Sequence, residues 1–149
     1  MLVIDQATVA AIMAHARRDH PDEACGVVAG PSDSDRPERF IPMANAARSP
    51  THESDSRDFY EFDSQDLLRL YRQLEERDEV PVVVYHSHTH SEAYPSRTDV
   101  ALAAEPTAHY VLVSTREPDR DELRSFRIRD GVVTEEEVRV VTALPQAGR

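Results

Sequence analysis

One stretch decides the architecture of this chain: Val82-Val83-Val84-Tyr85-His86-Ser87-His88. Its run of β-branched and aromatic residues predicts a buried β-strand. Because side chains alternate along a strand, His86 and His88 share one face of the sheet while Ser87 points to the other. The sequence therefore predicts that this strand ends in two imidazoles aligned for binding a metal ion.

A third candidate ligand follows a polar, turn-rich loop from Thr89 to Pro95, which leads to Ser96 and Asp99. A loop of this length can fold back over the end of a strand and bring Asp99 to the two histidines. Two histidines and one carboxylate suit zinc with a fourth position open for water, as in catalytic sites. The Ser96-x-x-Asp99 pattern also predicts a helix capping box. Both interpretations can hold, because a carboxylate in a first helical turn is held firmly.

Length and composition indicate one domain with a core of its own. The chain has 149 residues, of which 40% are hydrophobic and 30% charged, and we expect a domain over 1–142 and a flexible tail over 143–149. No segment approaches the roughly 20 apolar residues of a membrane span, and the N-terminus lacks a secretory pattern. The single cysteine, Cys25, cannot form an internal disulfide, which favours the cytoplasm.

The charge balance argues against two classes of partner. The formal net charge is -11, from 28 acidic and 17 basic residues. Nucleic acids and anionic membranes both attract clusters of lysine and arginine. We therefore expect neither as a partner.

Hydrophobic periodicity predicts the remaining elements. A first helix should run from Asp5, its N-cap, to about His20, where Pro21 stops it, with His15 and His20 at its surface or boundary. The further predictions, in chain order, are a strand over Cys25 to Gly30, an extended segment over Arg39 to Met43, a half-buried strand over Phe59 to Phe62, a helix from Asp63 or Ser64 with the stripe Leu67, Leu70, Tyr71 and Leu74, a short helix at Asp99, a strand over His109 to Ser114, and a hairpin of Leu123 to Ile128 with Val132 to Val141 through Asp130-Gly131. This order indicates an α/β domain with a mixed sheet covered by helices.

Two residues and one loop near the first strands are open to more than one interpretation. Glu23, just before the strand that begins at Cys25, is either a solvated turn residue or a catalytic acid. Cys25 itself fits a small buried hydrophobe better than a nucleophile. The long irregular loop from Ala44 to Arg57 is of a length that is often functional, and we expect it to border a substrate groove. Its His52-Glu53 pair fits a solvated pair better than a set of ligands.

Taken together, these motifs resemble the signature of the JAMM (MPN+) metalloproteases. The resemblance comprises Glu23 in Glu-Ala-Cys-Gly, then His86-Ser87-His88, ten intervening residues and Asp99, with Ser96 three residues before it. It extends over nearly the whole chain, because the order of helices and strands also matches. Within the family the chain looks most like the small bacterial Mec type, the CysO-cysteine hydrolases. The resemblance implies the cytidine-deaminase-like α/β fold of JAMM/MPN domains.

The resemblance also implies a role for each residue of the signature. His86, His88 and Asp99 match the ligands of one zinc ion, Glu23 matches the general base, and Ser96 matches the serine that supports the tetrahedral intermediate. Many members have proline directly after the second histidine, where this chain has Thr89. The loop that follows is therefore expected to present a different substrate wall, and His90 is expected to be exposed to solvent.

The implied reaction is hydrolysis of an amide or isopeptide-like bond after the C-terminal glycine of a small ubiquitin-like sulfur-carrier protein that ends in Gly-Gly. The Mec type implies that the released group is cysteine. The carrier tail is expected to lie as an added β-strand beside the active site. Three alternatives stay open on the sequence: a deubiquitinase-like peptidase, a zinc hydrolase of a small amide, and a non-catalytic MPN scaffold.

Overall fold

Helices and strands follow one another largely as the periodicity predicts. The structure, a computed structural model, describes residues 1–145, so residues 146–149 of the predicted flexible tail lie outside it. The elements are β1 (Leu2–Asp5), α1 (Gln6–Asp19), β2 (Cys25–Pro31), β3 (Arg39–Met43), a short 3-10 helix (Ala46–Arg48), α2 (Ser64–Glu76), β4 (Glu79–His88), α3 (Arg97–Leu102), β5 (His109–Ser114), β6 (Glu122–Arg129), β7 (Val132–Glu136) and β8 (Val138–Val141). Among the described residues, no helix is long and apolar enough to cross a membrane.

A mixed six-stranded sheet forms the centre of the domain, in the order β3-β2-β4-β5-β6-β7. Strands β4 and β5 are parallel, and the other neighbouring pairs are antiparallel. Because β4 has a partner on both sides and helices over both faces, its residues from Val82 to His88 are buried. The predicted α/β fold with a mixed sheet is confirmed.

Helices α1 and α2 cover opposite faces of this sheet. Ile12 and Ala16 of α1 pack with Val28, Val83 and Tyr85 in one core cluster. On the other face, α2 packs through a second cluster, which contains Val27, Ala29, Leu70 and Leu74. The alternation of Val27, Val28 and Ala29 between the two clusters follows from the two-residue period of β2.

The start of α1 agrees with prediction, but one of its histidines does not. Asp5 is the N-cap, and its Oδ1 accepts the Thr8 N–H at 2.8 Å. The prediction of His15 as a surface or boundary residue is wrong: it is 5% exposed, with Nδ1 2.7 Å from the Tyr85 hydroxyl. The reason is that the apolar stripe of α1 lies on β4, which encloses the imidazole between helix and sheet. Asp19 contacts its other nitrogen at 3.1 Å.

The predicted strand from Phe59 to Phe62 is also wrong. This segment forms a single antiparallel bridge, between Phe62 and Asn45. The Asn45 side chain bonds the Phe59 carbonyl oxygen at 2.9 Å and the Glu61 N–H at 3.2 Å. Because these backbone groups bond a side chain instead of a neighbouring strand, the alternating segment does not form a regular strand pair.

The predicted hairpin after β5 is confirmed for its first half only. Strands β6 and β7 pair antiparallel around Asp130 and Gly131, whose φ angles of 51° and 76° suit a tight hairpin turn. The predicted single strand from Val132 to Val141 is divided at Glu137. Its second part, β8, pairs in parallel with β1 in a separate two-stranded sheet. Pairing with the N-terminal strand thus outweighs continuation of the hairpin.

Gly26 allows β2 to lie close to the core side of β4. A Cβ atom at this position would lie 2.4 Å from the hydroxyl oxygen of the buried Tyr85. Only glycine fits there without a shift of the Tyr85 ring. The Glu-Ala-Cys-Gly motif therefore contains one residue that sets the packing of the strand pair beside the candidate site.

Candidate metal centre and active site

Strand β4 presents its two histidines as predicted. His86 and His88 are 2% and 7% exposed and lie on one face of the strand. The Ser87 side chain lies on the other face, where its Oγ accepts the Ala24 N–H at 2.8 Å. The Ser87 N–H in turn donates to the Ala24 carbonyl oxygen at 3.0 Å. These two bonds fix the chain just before β2 against the end of β4.

Helix α3 holds Asp99 through the predicted capping box. The Asp99 N–H donates to Ser96 Oγ at 3.1 Å, and the Ser96 N–H donates to Asp99 Oδ2 at 2.8 Å. The carboxylate is therefore fixed from its own helix terminus. Its position as a cap does not prevent it from facing the histidines, so the capping box is confirmed and the role of Asp99 as a metal ligand stays a prediction.

The three predicted ligand residues converge on one point. Asp99 Oδ2 lies 3.1 Å from Nε2 of His86 and 3.1 Å from Nε2 of His88. The two Nε2 atoms are 3.3 Å apart. Distant parts of the chain thus form a triangle of potential metal ligands.

The hydrogen bonds around this triangle fit a metal ion. His88 Nδ1 lies 2.9 Å from the carbonyl oxygen of Glu92, which can only accept a hydrogen bond. The neutral His88 ring therefore carries its proton on Nδ1 and directs the Nε2 lone pair at the Asp99 carboxylate. Two electron-pair donors facing each other at this distance are stabilised by a cation between them. Metal-bound histidines commonly donate a hydrogen bond from the ring nitrogen that does not bind the metal.

The pKa shifts of His86 and Asp99 favour the protonation states that metal ligands need, whereas the shift of His88 does not. Burial lowers the pKa of His86, which keeps its imidazole neutral. Burial alone would raise the pKa of Asp99, but its contacts with the two histidines hold that pKa well below its usual range. Asp99 is therefore ionised at neutral pH. For His88, burial lowers the pKa, but the contacts with Asp99 and Glu92 outweigh burial, so the pKa is raised.

Glu23 is a buried carboxyl group beside the cluster. It is 5% exposed, and burial raises its pKa to about 8, although His88 acts in the opposite direction. Its backbone is held on both sides, by an N–H bond to the Ser56 carbonyl oxygen at 2.7 Å and by the Asn45 amide on its own carbonyl at 3.0 Å. A carboxyl group with such a pKa can both accept and release a proton near neutral pH.

Three residues that the motifs do not reveal also shape this site. Tyr60 stacks on His86 with 4.4 Å between ring centroids, and Asn45 bonds the backbone on either side of Tyr60. The buried Thr89 donates its hydroxyl to the Arg57 carbonyl oxygen at 2.8 Å. The sequence signals for these contacts are the length of the loop from Ala44 to Arg57 and the threonine that follows the second histidine. His90 is exposed, as predicted.

An apolar cavity of about 410 Å³ lies beside the cluster. Tyr60 belongs both to its wall and to the stack on His86. The other walls come from β2, α2, β4, β5 and the end of α3 with the segment after it, and include Val27, Leu67, Val84 and Leu102. A substrate chain that reaches the histidines could therefore place an apolar group in this cavity.

Comparison with known proteins adds independent information. The family model described as prokaryotic homologs of the JAB domain matches residues 5–129, a range that contains every predicted site residue. The chain is 67% identical over 141 residues to the CysO-cysteine peptidase of Mycobacterium tuberculosis, covering 95% of this chain and 92% of that protein. It is 35% identical to the desampylase of Haloferax volcanii, over 69% of this chain and 73% of that protein.

Solved structures agree with the fold. A solution structure of a Desulfitobacterium hafniense protein matches with a TM-score of 0.79 and 29% identity, over 97% of this chain and 95% of that one. A crystal structure of a JAB1/MPN domain protein from Archaeoglobus fulgidus matches with a TM-score of 0.55 and 19% identity, over 95% and 97% of the two chains. The second likeness concerns the fold alone.

Proposed function

The chain belongs to the family of prokaryotic homologs of the JAB domain, and on that premise we propose that it is a zinc hydrolase of a carrier-protein adduct. The resemblance to the JAMM/MPN family is thereby confirmed. The bond cut is the amide between the C-terminal glycine of a small ubiquitin-like sulfur carrier and cysteine. The observation that supports this most directly is the 67% identity, over 95% of the chain, to a CysO-cysteine peptidase.

His86, His88 and Asp99 would hold one zinc ion, because two imidazole nitrogens and one carboxylate oxygen form a zinc donor set. When bound, zinc supplies a Lewis acid that makes water a nucleophile near neutral pH. The capping box at Ser96 keeps the Asp99 carboxylate in place during the reaction. The Glu92 carbonyl keeps the His88 ring in its ligating tautomer.

Glu23 acts as the general base in this proposal. It accepts a proton from water and then donates it to the amine of the departing cysteine. Its burial excludes bulk solvent from the proton, and a pKa raised towards neutral pH suits both transfers. Loss of the Glu23 carboxyl group therefore removes the path of the proton from nucleophile to leaving group.

Ser96 supports the developing oxyanion. Its Oγ already accepts the Asp99 N–H at 3.1 Å, and its hydroxyl hydrogen has no acceptor within residues 1–145. That hydrogen can be donated to the carbonyl oxygen of the substrate as negative charge forms on it. The exposed position of Ser96 leaves this oxygen accessible to an incoming chain.

The segment around Tyr60 offers an edge for the carrier tail. The Glu61 N–H donates to Asn45 Oδ1, and the Glu61 carbonyl oxygen accepts the Ala46 N–H. Because backbone groups alternate in direction along an extended segment, the N–H and carbonyl oxygen of Tyr60 point to the opposite side. The Tyr60 N–H and carbonyl oxygen have no hydrogen-bond partner within residues 1–145. An extended tail can add to these groups as a β-strand. Two glycines at its end would let the backbone approach the buried histidines.

A cytoplasmic location is part of the same proposal. Its support is that the only cysteine of the sequence is buried and unpaired, as expected in a reducing compartment. The buried position of Cys25 also agrees with its interpretation as a small hydrophobic residue.

The proposal is tested by incubating the zinc-loaded protein with a carrier whose Gly-Gly terminus bears an amide-linked cysteine. Mass spectrometry should show the carrier losing one cysteine residue. A chelator should stop this hydrolysis, and added zinc should restore it. An adduct that stays intact with zinc-loaded protein would contradict the proposal. Parallel samples with an isopeptide-linked protein conjugate and with a free glycyl-cysteine dipeptide separate it from a deubiquitinase-like peptidase and from a small-amide hydrolase. A scaffold would act on none of them.

A further inference from the structure

The Asn45 side chain uses its whole hydrogen-bonding capacity between two parts of the site. It is 6% exposed, and its Nδ2 donates to the carbonyl oxygens of Glu23 at 3.0 Å and Phe59 at 2.9 Å. Its Oδ1 accepts the N–H groups of Ala47 at 3.0 Å and Glu61 at 3.2 Å. Two donors and two lone pairs are all that an asparagine amide offers.

These partners are the backbone supports of two site side chains. Glu23 is the proposed general base, and Asn45 binds its own carbonyl oxygen. Phe59 and Glu61 flank Tyr60, whose ring lies 4.4 Å from that of His86. One amide group therefore sets the distance between the segment of the base and the segment that packs on a metal-binding histidine.

We infer that Asn45 is a positioning residue for the hydrolysis, acting by fixing Glu23 relative to Tyr60 and His86. The inference rests on the proposed function. Asn45 itself contacts none of the reacting groups, so its effect on the rate passes through Glu23. Catalysis is sensitive to such placement, because a shift of about 1 Å can cost a hundredfold in rate.

Other contacts of the Glu23 segment do not replace this amide. Ser56 binds the Glu23 N–H with its carbonyl oxygen at 2.7 Å and donates its hydroxyl to Asp22 at 2.6 Å. Arg48 contacts Asp22 at 3.3 Å. Both residues belong to the loop whose first turn Asn45 caps by accepting the Ala47 N–H. Removal of the Asn45 amide therefore loosens these supports as well.

The test uses two variants of the full-length, zinc-loaded protein, Asn45→Ala and Asn45→Asp. The aspartate keeps the size and the acceptor of the side chain but cannot donate to the Glu23 and Phe59 carbonyls. In both variants we expect kcat for the carrier-cysteine adduct to fall at least about tenfold, with zinc content within about twofold of wild type and with KM changed less than kcat. Ser125→Ala is the control. Ser125 lies in β6, and its buried hydroxyl donates to Glu136 of β7 at 2.7 Å, so this change also removes a buried hydrogen bond. Its kcat should be unchanged even where its melting temperature falls.

A second measurement does not depend on turnover. In the metal-free protein, amide hydrogen exchange at Ala47 and Glu61 should accelerate at least about tenfold in Asn45→Ala and stay unchanged in Ser125→Ala, because local opening exposes these N–H groups. In a double-mutant cycle with Glu23→Gln, the Asn45→Ala change should have no further effect on the residual kcat, since coupled residues are not additive.

Each outcome supports or overturns one of the two proposals. A wild-type protein that leaves the adduct intact overturns the proposed function. Wild-type turnover together with an unchanged kcat in both Asn45 variants overturns only the role of Asn45. Loss of folding in both variants also overturns it, because Asn45 would then be a residue required for folding. A full additional loss of kcat in the Glu23→Gln background would show that Asn45 does not act through Glu23.

Discussion

Cys25 pairs with His86 in the antiparallel register of β2 and β4, and this pairing places Glu23 level with His88. Directly opposed residues of an antiparallel pair have their side chains on the same face. The bond from the Ser87 N–H to the Ala24 carbonyl oxygen continues the pairing by one residue. The buried carboxyl group of Glu23 therefore faces the same side of the sheet as the two histidines.

Substitution of the proposed base should separate metal binding from catalysis. We expect Glu23→Gln to keep its zinc and to reduce kcat at least about a hundredfold, because general-base assistance is worth a hundredfold or more. Zinc is measured by metal analysis, and turnover by mass spectrometry of the carrier-cysteine adduct. The control is Glu137→Gln, a change at an exposed residue between β7 and β8. Wild-type turnover in Glu23→Gln would remove Glu23 from the mechanism.

Loss of any one of the three proposed ligands should lower the metal content. We expect Asp99→Ala and His88→Ala to bind well under one zinc per chain, since each removes one of three convergent donors. Zinc is quantified after dialysis against a weak chelator. His90→Ala is the matched control, because it removes an exposed histidine from the neighbouring loop and should retain all the zinc. Full stoichiometry in both ligand variants would show that the ion is held elsewhere.

The raised pKa of Glu23 predicts a pH-dependent stability of the metal-free protein. Burial raises that pKa from 4.5 to about 8, so the unfolded chain loses the proton at lower pH than the folded one. The free energy of unfolding should therefore fall as pH rises from about 4.5 to about 8. Glutamine stays neutral, so Glu23→Gln should stabilise the protein above pH 8 by up to a few kcal/mol and have little such effect near pH 4.

Urea unfolding of chelator-treated protein at the two pH values measures this difference. Glu137→Gln, a change at an exposed side chain, is measured alongside as the control. An equal effect of Glu23→Gln at both pH values would mean that the Glu23 carboxyl group does not change its charge in this range.

Gly26→Ala should destabilise the fold. The new Cβ would lie 2.4 Å from the Tyr85 hydroxyl oxygen and 2.5 Å from its ring, and Tyr85 is fully buried. Overpacking of this kind costs about 1–3 kcal/mol, which lowers the melting temperature by several degrees in a chain of this length. Differential scanning calorimetry measures the change. A melting temperature equal to that of the wild type would show that the Tyr85 ring moves without cost.

Local sequence determined the parts of the site that lie close together in the chain. The alternation of Val82 to His88 placed both histidines on one face, and the Ser96-x-x-Asp99 pattern fixed a carboxylate in a first helical turn. These features depend only on the period of a strand and on capping bonds between near neighbours. The positions of helices α1 and α2 likewise followed from the spacing of their apolar residues.

Tertiary structure alone decided what depends on contacts between distant segments. The amide of Asn45 bonds the Phe59 carbonyl oxygen and the Glu61 N–H, which prevents the strand that the alternating side chains of this segment predict. Pairing with β1 divides the last predicted strand, and packing against β4 buries His15. Local propensity is worth a few tenths of a kcal/mol per residue, whereas a buried polar group left without a partner costs about 1–3 kcal/mol. At Asn45, satisfaction of buried hydrogen bonds therefore outweighs the local pattern.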